Sequence, residues 1–372
     1  MHRALGIALY SQAGALAEQD KLDEAIFHYR QALQTKPDYT EAHNDLGSAL
    51  AAQGRLNEAI SHYRRALEIE PDYIQVHYNL GSVLLKEGKL EEAISHFHKA
   101  LQIKPDYVHA HCGLGIALQS QGKLDEAISH YRRALQIKPD YAEAHSNLGD
   151  AHVELGRLDE AINHYHQALQ IDPNSAHVHC NLGIATWAKG ELDQAVSHYR
   201  QALRIKPDHA EAHNNLANSL VELGRLEEAI NHYRQALRAK PNDAKVHHNL
   251  GRVLIMAGQT EGALEQFREA VRLKPNWPAP LTAMARILAL HPNPKVRDAS
   301  HAVNFAERAA KLTKYQDASV LDTLAVAYAA AGQFDRALAT TEGAIALASA
   351  AQADELVSSL RKQLELYKQK KF

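Results

Sequence analysis

Eight prolines stand 34 residues apart along the chain: Pro37, Pro71, Pro105, Pro139, Pro173, Pro207, Pro241 and Pro275. A comb of this kind marks one supersecondary unit copied in tandem, and it restricts the chain to a stack of modules rather than a single compact core. Proline cannot continue a helical hydrogen-bond ladder, so each one marks a helix end. With proline set as position 32, the repeats run 6–39, 40–73, 74–107, 108–141, 142–175, 176–209, 210–243 and 244–277.

The other columns then align. Position 8 is small, from Gly47 and Gly81 to Ala217 and Gly251. Positions 20 and 27 are alanine throughout, as in Ala59 and Ala66. Position 24 is aromatic: Tyr29, Tyr63, Phe97, Tyr131, Tyr165, Tyr199, Tyr233 and Phe267. Position 15 is mostly glycine, as in Gly54, Gly88 and Gly122. Positions 7, 8 and 11 share one helical face, as do 17, 20, 24 and 27. The spacing therefore predicts two amphipathic helices per repeat, divided by a glycine suited to left-handed backbone at a helix end. Small residues at 8 and 20 let the two backbones approach, and the ring at 24 fills the space beside them.

The pattern Leu-Gly, Gly, Ala, Tyr, Ala, Pro resembles the tetratricopeptide repeat across residues 6–277. The stretches Ala212–Leu216 and Glu228–Leu237 are similar to the long repeat arrays of O-linked N-acetylglucosamine transferases and of many bacterial repeat proteins. The resemblance implies an all-α fold, a right-handed α-solenoid superhelix of antiparallel helix pairs. One departure is histidine at position 4, where the family often has tryptophan.

At the ends the pattern loosens. Repeat 1 has Gln12 and Asp20 in place of the leucine and glycine, as suits a polar terminal module. Residues 278–350 are expected to form two divergent repeats with an insertion at 291–300. Residues 351–372 are expected to supply a capping helix with Leu356, Leu360, Leu364 and Tyr367 on one stripe. Such a cap implies that the array ends there.

In the family, first helices line a concave surface, with positions 2, 5, 6, 9, 12 and 13 pointing into it. Position 6 reads Asp45, Asn79, Gly113, Asn147, Asn181, Asn215 and Asn249. This column resembles the asparagine ladder of the O-linked N-acetylglucosamine transferases and implies peptide binding, since one amide supplies both a donor and an acceptor to a peptide backbone. The competing reading is an ordinary polar residue beside the Leu-Gly step. Gly113 interrupts the column and Asp45 changes its charge. Position 12 offers apolar candidates, Leu85, Val153, Trp187, Val221 and Ile255, which either anchor a partner or are covered by neighbouring helices. Position 5 reads Asn44, Tyr78, Cys112, Ser146, Cys180, Asn214 and His248. It lacks the lysine that a carboxylate clamp for chaperone tails requires.

Histidine fills position 4 (His43, His77, His111, His145, His179, His213 and His247) and position 23 (His28, His62, His96, His130, His164, His198 and His232). A metal column is the sharp reading. Packed helices lie roughly 8–10 Å apart and zinc ligands about 2 Å from the ion, so histidines of successive repeats are too distant to share one. They are expected to be packing residues, and no metal or cofactor is implied. Cys112 beside His111 suggests a thiol nucleophile, but Cys180 repeats that position two modules later, as a small groove residue would. No phosphate loop, Cys-x-x-Cys or Gly-x-Ser-x-Gly motif occurs.

With a formal net charge of −3, nothing in the sequence suggests a nucleic-acid binder, which normally shows a strongly basic face. No apolar run approaches a membrane span, and two cysteines make no disulfide framework. The expectation is a non-catalytic scaffold holding extended peptide segments or partner proteins on its concave face. It is placed in the cytoplasm, or in the periplasm where a targeting segment has been removed, as a monomer or weak homo-oligomer. Two alternatives stand beside it: the substrate-selecting arm of a larger glycosyltransferase, and a self-assembling repeat protein.

Overall fold

A computed structural model describes residues 1–4 and 19–372, with side chains from residue 21 onward in the second of these segments. The first helix of repeat 1, with Gln12, lies outside the described residues. All regular elements among the described residues are α-helices. They fall into two compact units, 1–191 and 192–372, and the division lies between the two helices of the repeat 176–209.

In the first unit, α1 (Gln19–Thr35) is followed by the hairpins α2 (Thr40–Ala52) with α3 (Leu56–Ile69), α4 (Ile74–Lys86) with α5 (Leu90–Ile103), α6 (Val108–Ser120) with α7 (Leu124–Ile137), and α8 (Ala142–Glu154) with α9 (Leu158–Ile171), then by α10 (Ala176–Ala188). The second unit starts with α11 (Leu192–Ile205). Its hairpins are α12 (Ala210–Glu222) with α13 (Leu226–Ala239), α14 (Ala244–Met256) with α15 (Thr260–Leu273), α16 (Pro278–Leu290) with α17 (Ala299–Leu312), and α18 (Ala318–Ala330) with α19 (Phe334–Ala350). The chain's last helix is α20 (Asp354–Lys368), which packs on α19 and buries Val357, Leu360 and Tyr367. Within each unit, the second helix of a hairpin packs both on its own first helix and on the helix that follows it. In the first unit, first helices also touch one another.

The hairpin closes as the columns require. Ala59, Ala93, Ala127 and Ala161 are fully buried, as are Leu46, Leu80, Leu114 and Leu148 of the facing helices. The ring at position 24 occupies the space a side chain at position 8 would need. A Cβ on Gly47 would lie 2.7 Å from Tyr63, and one on Gly81 2.9 Å from Phe97. Burying such a ring contributes about 1.5–3 kcal/mol, so each module gains most where its two backbones come closest.

Glycine at position 15 serves a different purpose. Gly122 has φ +76°, and a Cβ there would meet nothing within 4 Å. Its only demand is the left-handed backbone that lets Lys123 N–H reach the Leu118 carbonyl at 2.9 Å and turn the chain into α7. In the divergent region Lys314, Tyr315 and Gln352 take the same conformation without glycine. Gly122→Ala is therefore expected to cost about 1 kcal/mol through the backbone alone. Gly262→Ala, inside α15 with its nearest neighbour at 3.6 Å, is expected to stabilise by about 0.4–1 kcal/mol. Urea melts of the two variants should shift in opposite directions.

Candidate binding face

Most positions of the first helices are used up in packing. At position 5, Asn44, Cys112, Ser146 and Cys180 are buried, and Tyr78 and Asn214 are half-buried. In three repeats position 9 serves the tyrosine of its own repeat. Ser48 Oγ lies 3.0 Å from the Tyr63 hydroxyl, Tyr165 donates to Asp150 Oδ1 at 2.7 Å, and Tyr233 donates to Asn218 Oδ1. Where position 9 is Ile116, the Tyr131 hydroxyl turns instead to Gln119 Oε1 at 2.9 Å. A buried phenol needs such a partner, and the repeats supply it from different positions.

The position-6 column is only partly open. Asn79 donates from Nδ2 to Asn44 Oδ1 of the preceding repeat at 2.9 Å, while its own Oδ1 accepts from Gln75 at 2.9 Å. Asn181 donates to Asp150 Oδ1 at 2.8 Å. Asn147 faces a repeat with Cys112 and Ile116 at positions 5 and 9, and its Nδ2 is buried without a hydrogen-bond partner. Asn215 accepts from Asn214 at 3.1 Å. Asn249 lines a polar cleft in the second unit together with Asn214, Asn218 and Lys245. Asp45 is ion-paired with Arg3 at 2.9 Å. Partial burial raises its pKa, opposed by Arg3. Gly113 is glycine for a packing reason: a Cβ there would lie 2.6 Å from the Phe97 ring. At Asn79 and Asn181 the amide N–H thus already bridges two repeats, which leaves acceptor capacity at Asn181 but little at Asn79.

The position-12 column is more accessible. Leu85 and Val153 are half-buried and lean on the hydrophobic cores of the first unit, and Val221 is half-buried in the second. Trp187 is 42% exposed and Ile255 38%. A cluster that the column reading missed lies on α4, α6 and the turns between hairpins. Tyr78 stands edge-on to Tyr107 at 5.7 Å, and His109 packs on Tyr78 at 5.8 Å and on Tyr141 at 5.6 Å. The Tyr141 hydroxyl donates to Glu143 at 2.6 Å. Its sequence signal was tyrosine recurring at position 34 (Tyr39, Tyr73, Tyr107 and Tyr141).

The two histidine columns meet inside five of the hairpins. Nδ1–Nδ1 distances are 3.0 Å for His43–His62, 3.0 Å for His77–His96, 3.1 Å for His111–His130, 3.3 Å for His145–His164 and 2.9 Å for His213–His232. The other nitrogen of the position-4 ring reaches the carbonyl of the proline six residues earlier, as His43 Nε2 does to Pro37 at 3.0 Å. Nε2 of that ring therefore carries the proton and its Nδ1 accepts from the second histidine, so one neutral tautomer pair ties both helices and the inter-repeat turn together. In the repeat 244–277, Gln266 takes the second place, 2.8 Å from His247. Among the described residues no group of three or more His, Cys, Asp or Glu side chains is placed to hold a metal ion. Burial pushes the Cys112 thiol up to about 12, so it stays protonated at neutral pH.

Burial first, then the neighbouring ring, lowers His62, His96 and His232 to about 4. The unfolded chain takes up protons as pH falls below the ordinary value of 6.5, while the folded pairs stay neutral. The stability of the neutral fold is present above 6.5 and is lost progressively from 6.5 towards about 4. Thermal melts should show a midpoint that drops steadily over that window. A variant carrying His62→Gln, His96→Gln and His232→Gln should show a shallower drop.

The family comparisons agree with this architecture. A family model described as the cilia and flagella-associated protein 70 C-terminal domain matches residues 107–310, more than half of the chain. Tetratricopeptide-repeat models match residues 72–140, 14–54, 47–88 and 318–342. None of the curated proteins compared with the chain matches it. Among solved structures, a chain of the APC/C hetero-tetramer Cut9-Hcn1 is similar at 19% identity and TM-score 0.57, over 81% of this chain and 55% of that one. This chain thus spans little more than half the length of that structure. PilF of Pseudomonas aeruginosa is similar at 23% identity and TM-score 0.53, over 57% of this chain and 96% of that one. No helix among the described residues is long and apolar enough to cross a membrane. The chain belongs to the tetratricopeptide-repeat family, an all-α fold of stacked helix pairs that generally works as a non-catalytic scaffold for protein–protein interaction.

Proposed function

We propose that the chain holds extended segments of partner proteins along the open side of its first helices and performs no chemistry of its own. The observation that carries this reading is Trp187. It is a large amphipathic ring, 42% exposed, on the position-12 column of the first helices. Tryptophan on an exposed face is a strong anchor for a partner, because it gives much contact area for little lost freedom. On the same helix, Asn181 keeps acceptor capacity for a peptide N–H, with its own N–H fixed on Asp150. In this proposal Asn147, Asn181, Asn215 and Asn249 present side-chain amide edges, while Asn79 and Asp45 serve mainly the stack. Leu85 and Val153 hold the same column as Trp187 in the first unit, and Val221 and Ile255 hold it in the second. We also read residues 1–277 as eight repeats, 278–350 as two divergent ones and 351–372 as the closing helix.

Selection from a displayed library of random linear peptides tests the reading. Peptides enriched on the wild type should bind Trp187→Ala about tenfold more weakly and Asn181→Ala more weakly still when the two changes are combined. Unchanged melting curves would show that the fold is intact. Failure to enrich any peptide, or equal binding by the variants, overturns the proposal.

A further inference from the structure

An apolar cleft of about 460 Å³ opens between α14, α15 and α16, wholly within the second unit. Ile255, Met256, Phe267 and Leu290 line it, with Arg252 and Arg286 beside them. The volume falls in the range of small-ligand and side-chain pockets. Met256 is 57% exposed, Leu290 47% and Ile255 38%. Three large apolar side chains gathered on one opening form a patch.

The cleft arises from two changes that occur together. In three other repeats the position-24 tyrosine gives its hydroxyl to position 9, through Ser48, Asp150 or Asn218. In the repeat 244–277 these positions are Phe267 and Arg252. The Phe267 ring brings no hydroxyl to the floor, and Thr260 and His291, 3.2 Å apart, supply polar atoms at the edge of the lining. The position-9 side chain, relieved of that bond, is an exposed guanidinium that makes no ion pair among the described residues. Arg286 lies on the next first helix and is half exposed, bonded to Asp322 at 3.0 Å. No carboxylate lines the cleft. The opening therefore combines an apolar well with a cation that lacks a partner.

We propose that this cleft receives one large apolar side chain of an extended acidic peptide, with a carboxylate next to that side chain paired to Arg252. The assignment rests on the peptide-binding reading of the first-helix face and adds the chemistry of the partner at one point along it. The apolar side chain displaces water from Met256, Ile255 and Leu290. The neighbouring carboxylate meets the guanidinium, whose planar fork suits it.

Fluorescence anisotropy on the full chain tests this with labelled peptides Gly-Ser-Glu-Phe-Glu-Ser-Gly, Gly-Ser-Lys-Phe-Lys-Ser-Gly and Gly-Ser-Glu-Gly-Glu-Ser-Gly. The Glu-Phe-Glu peptide should bind, and the other two should bind about tenfold more weakly. Met256→Glu should weaken the first peptide about tenfold and Arg252→Gln several-fold, with Trp187→Ala leaving it unchanged. Both altered side chains are exposed, and thermal melts check that the variants fold. Leu290→Glu on the neighbouring helix repeats the test from the other wall. No binding of Glu-Phe-Glu, or binding that survives Met256→Glu and Arg252→Gln, overturns the proposal. Loss of that binding in Trp187→Ala alone overturns it too, while leaving the peptide-binding reading standing. Binding of decanoate in place of all peptides assigns the cleft to a fatty carboxylate and overturns it as well.

Discussion

The ring at position 24 lies against the bare backbone at position 8, and the rest of each module is arranged around that contact. Tyr63 over Gly47 and Phe97 over Gly81 bring the two helices of a hairpin close enough for alanine at position 20 to be fully buried between them. The ring also reaches the following module: Phe97 touches the backbone of Gly113 as well. One side chain thus joins a hairpin internally and joins it to its neighbour. This is how a unit too small to bury its own apolar face becomes stable in a stack. The phenol hydroxyl then imposes a second demand, because it is buried and must be bonded. Position 9 meets that demand at Ser48, Asp150 and Asn218, and is committed there before it can serve any partner.

The second tie is polar. A neutral histidine pair links the two helices, and the first ring also holds the carbonyl of the turn proline. Proline ends the helix and leaves its carbonyl without a partner in the helix ladder, in a turn whose proline is exposed. The histidine six residues later meets it. Exposed ion pairs between successive second helices, such as Arg64–Glu92 at 3.0 Å, add little by comparison, about 0–1 kcal/mol each.

Much of this was legible in the sequence. The period, the two helices per repeat, the glycine turn and the packing role of the rings follow from residue types whose physics is local: proline stops a helix, glycine takes positive φ, and alanine admits a close backbone. The histidines were assigned to packing, but their pairing was not visible, because position 4 meets position 23 across 19 residues and only through a fixed hairpin geometry. The same holds for the binding face. A column of asparagines looks uniform, yet Asn79 is bonded at both ends of its amide while Asn147 has a buried N–H without a partner. What separates them is the preceding repeat, Asn44 and Ser48 in one case and Cys112 and Ile116 in the other. A single column cannot show that context.

Tandem repeats nonetheless carry their own control. All modules of one chain share nearly the same backbone, so a residue that departs from its column reports a local change of demand. Gly113 departs because Phe97 occupies the space of its side chain. Gln266 departs from histidine and keeps the bond to His247. Phe267 and Arg252 depart together, and no bond between their side chains replaces the one that was lost. The first two departures preserve the packing, while the third gives up a structural hydrogen bond and leaves an apolar floor beside an unpaired cation. Only that third kind changes what the surface can recognise, so function in such an array is best sought where two coupled columns change at once without compensation.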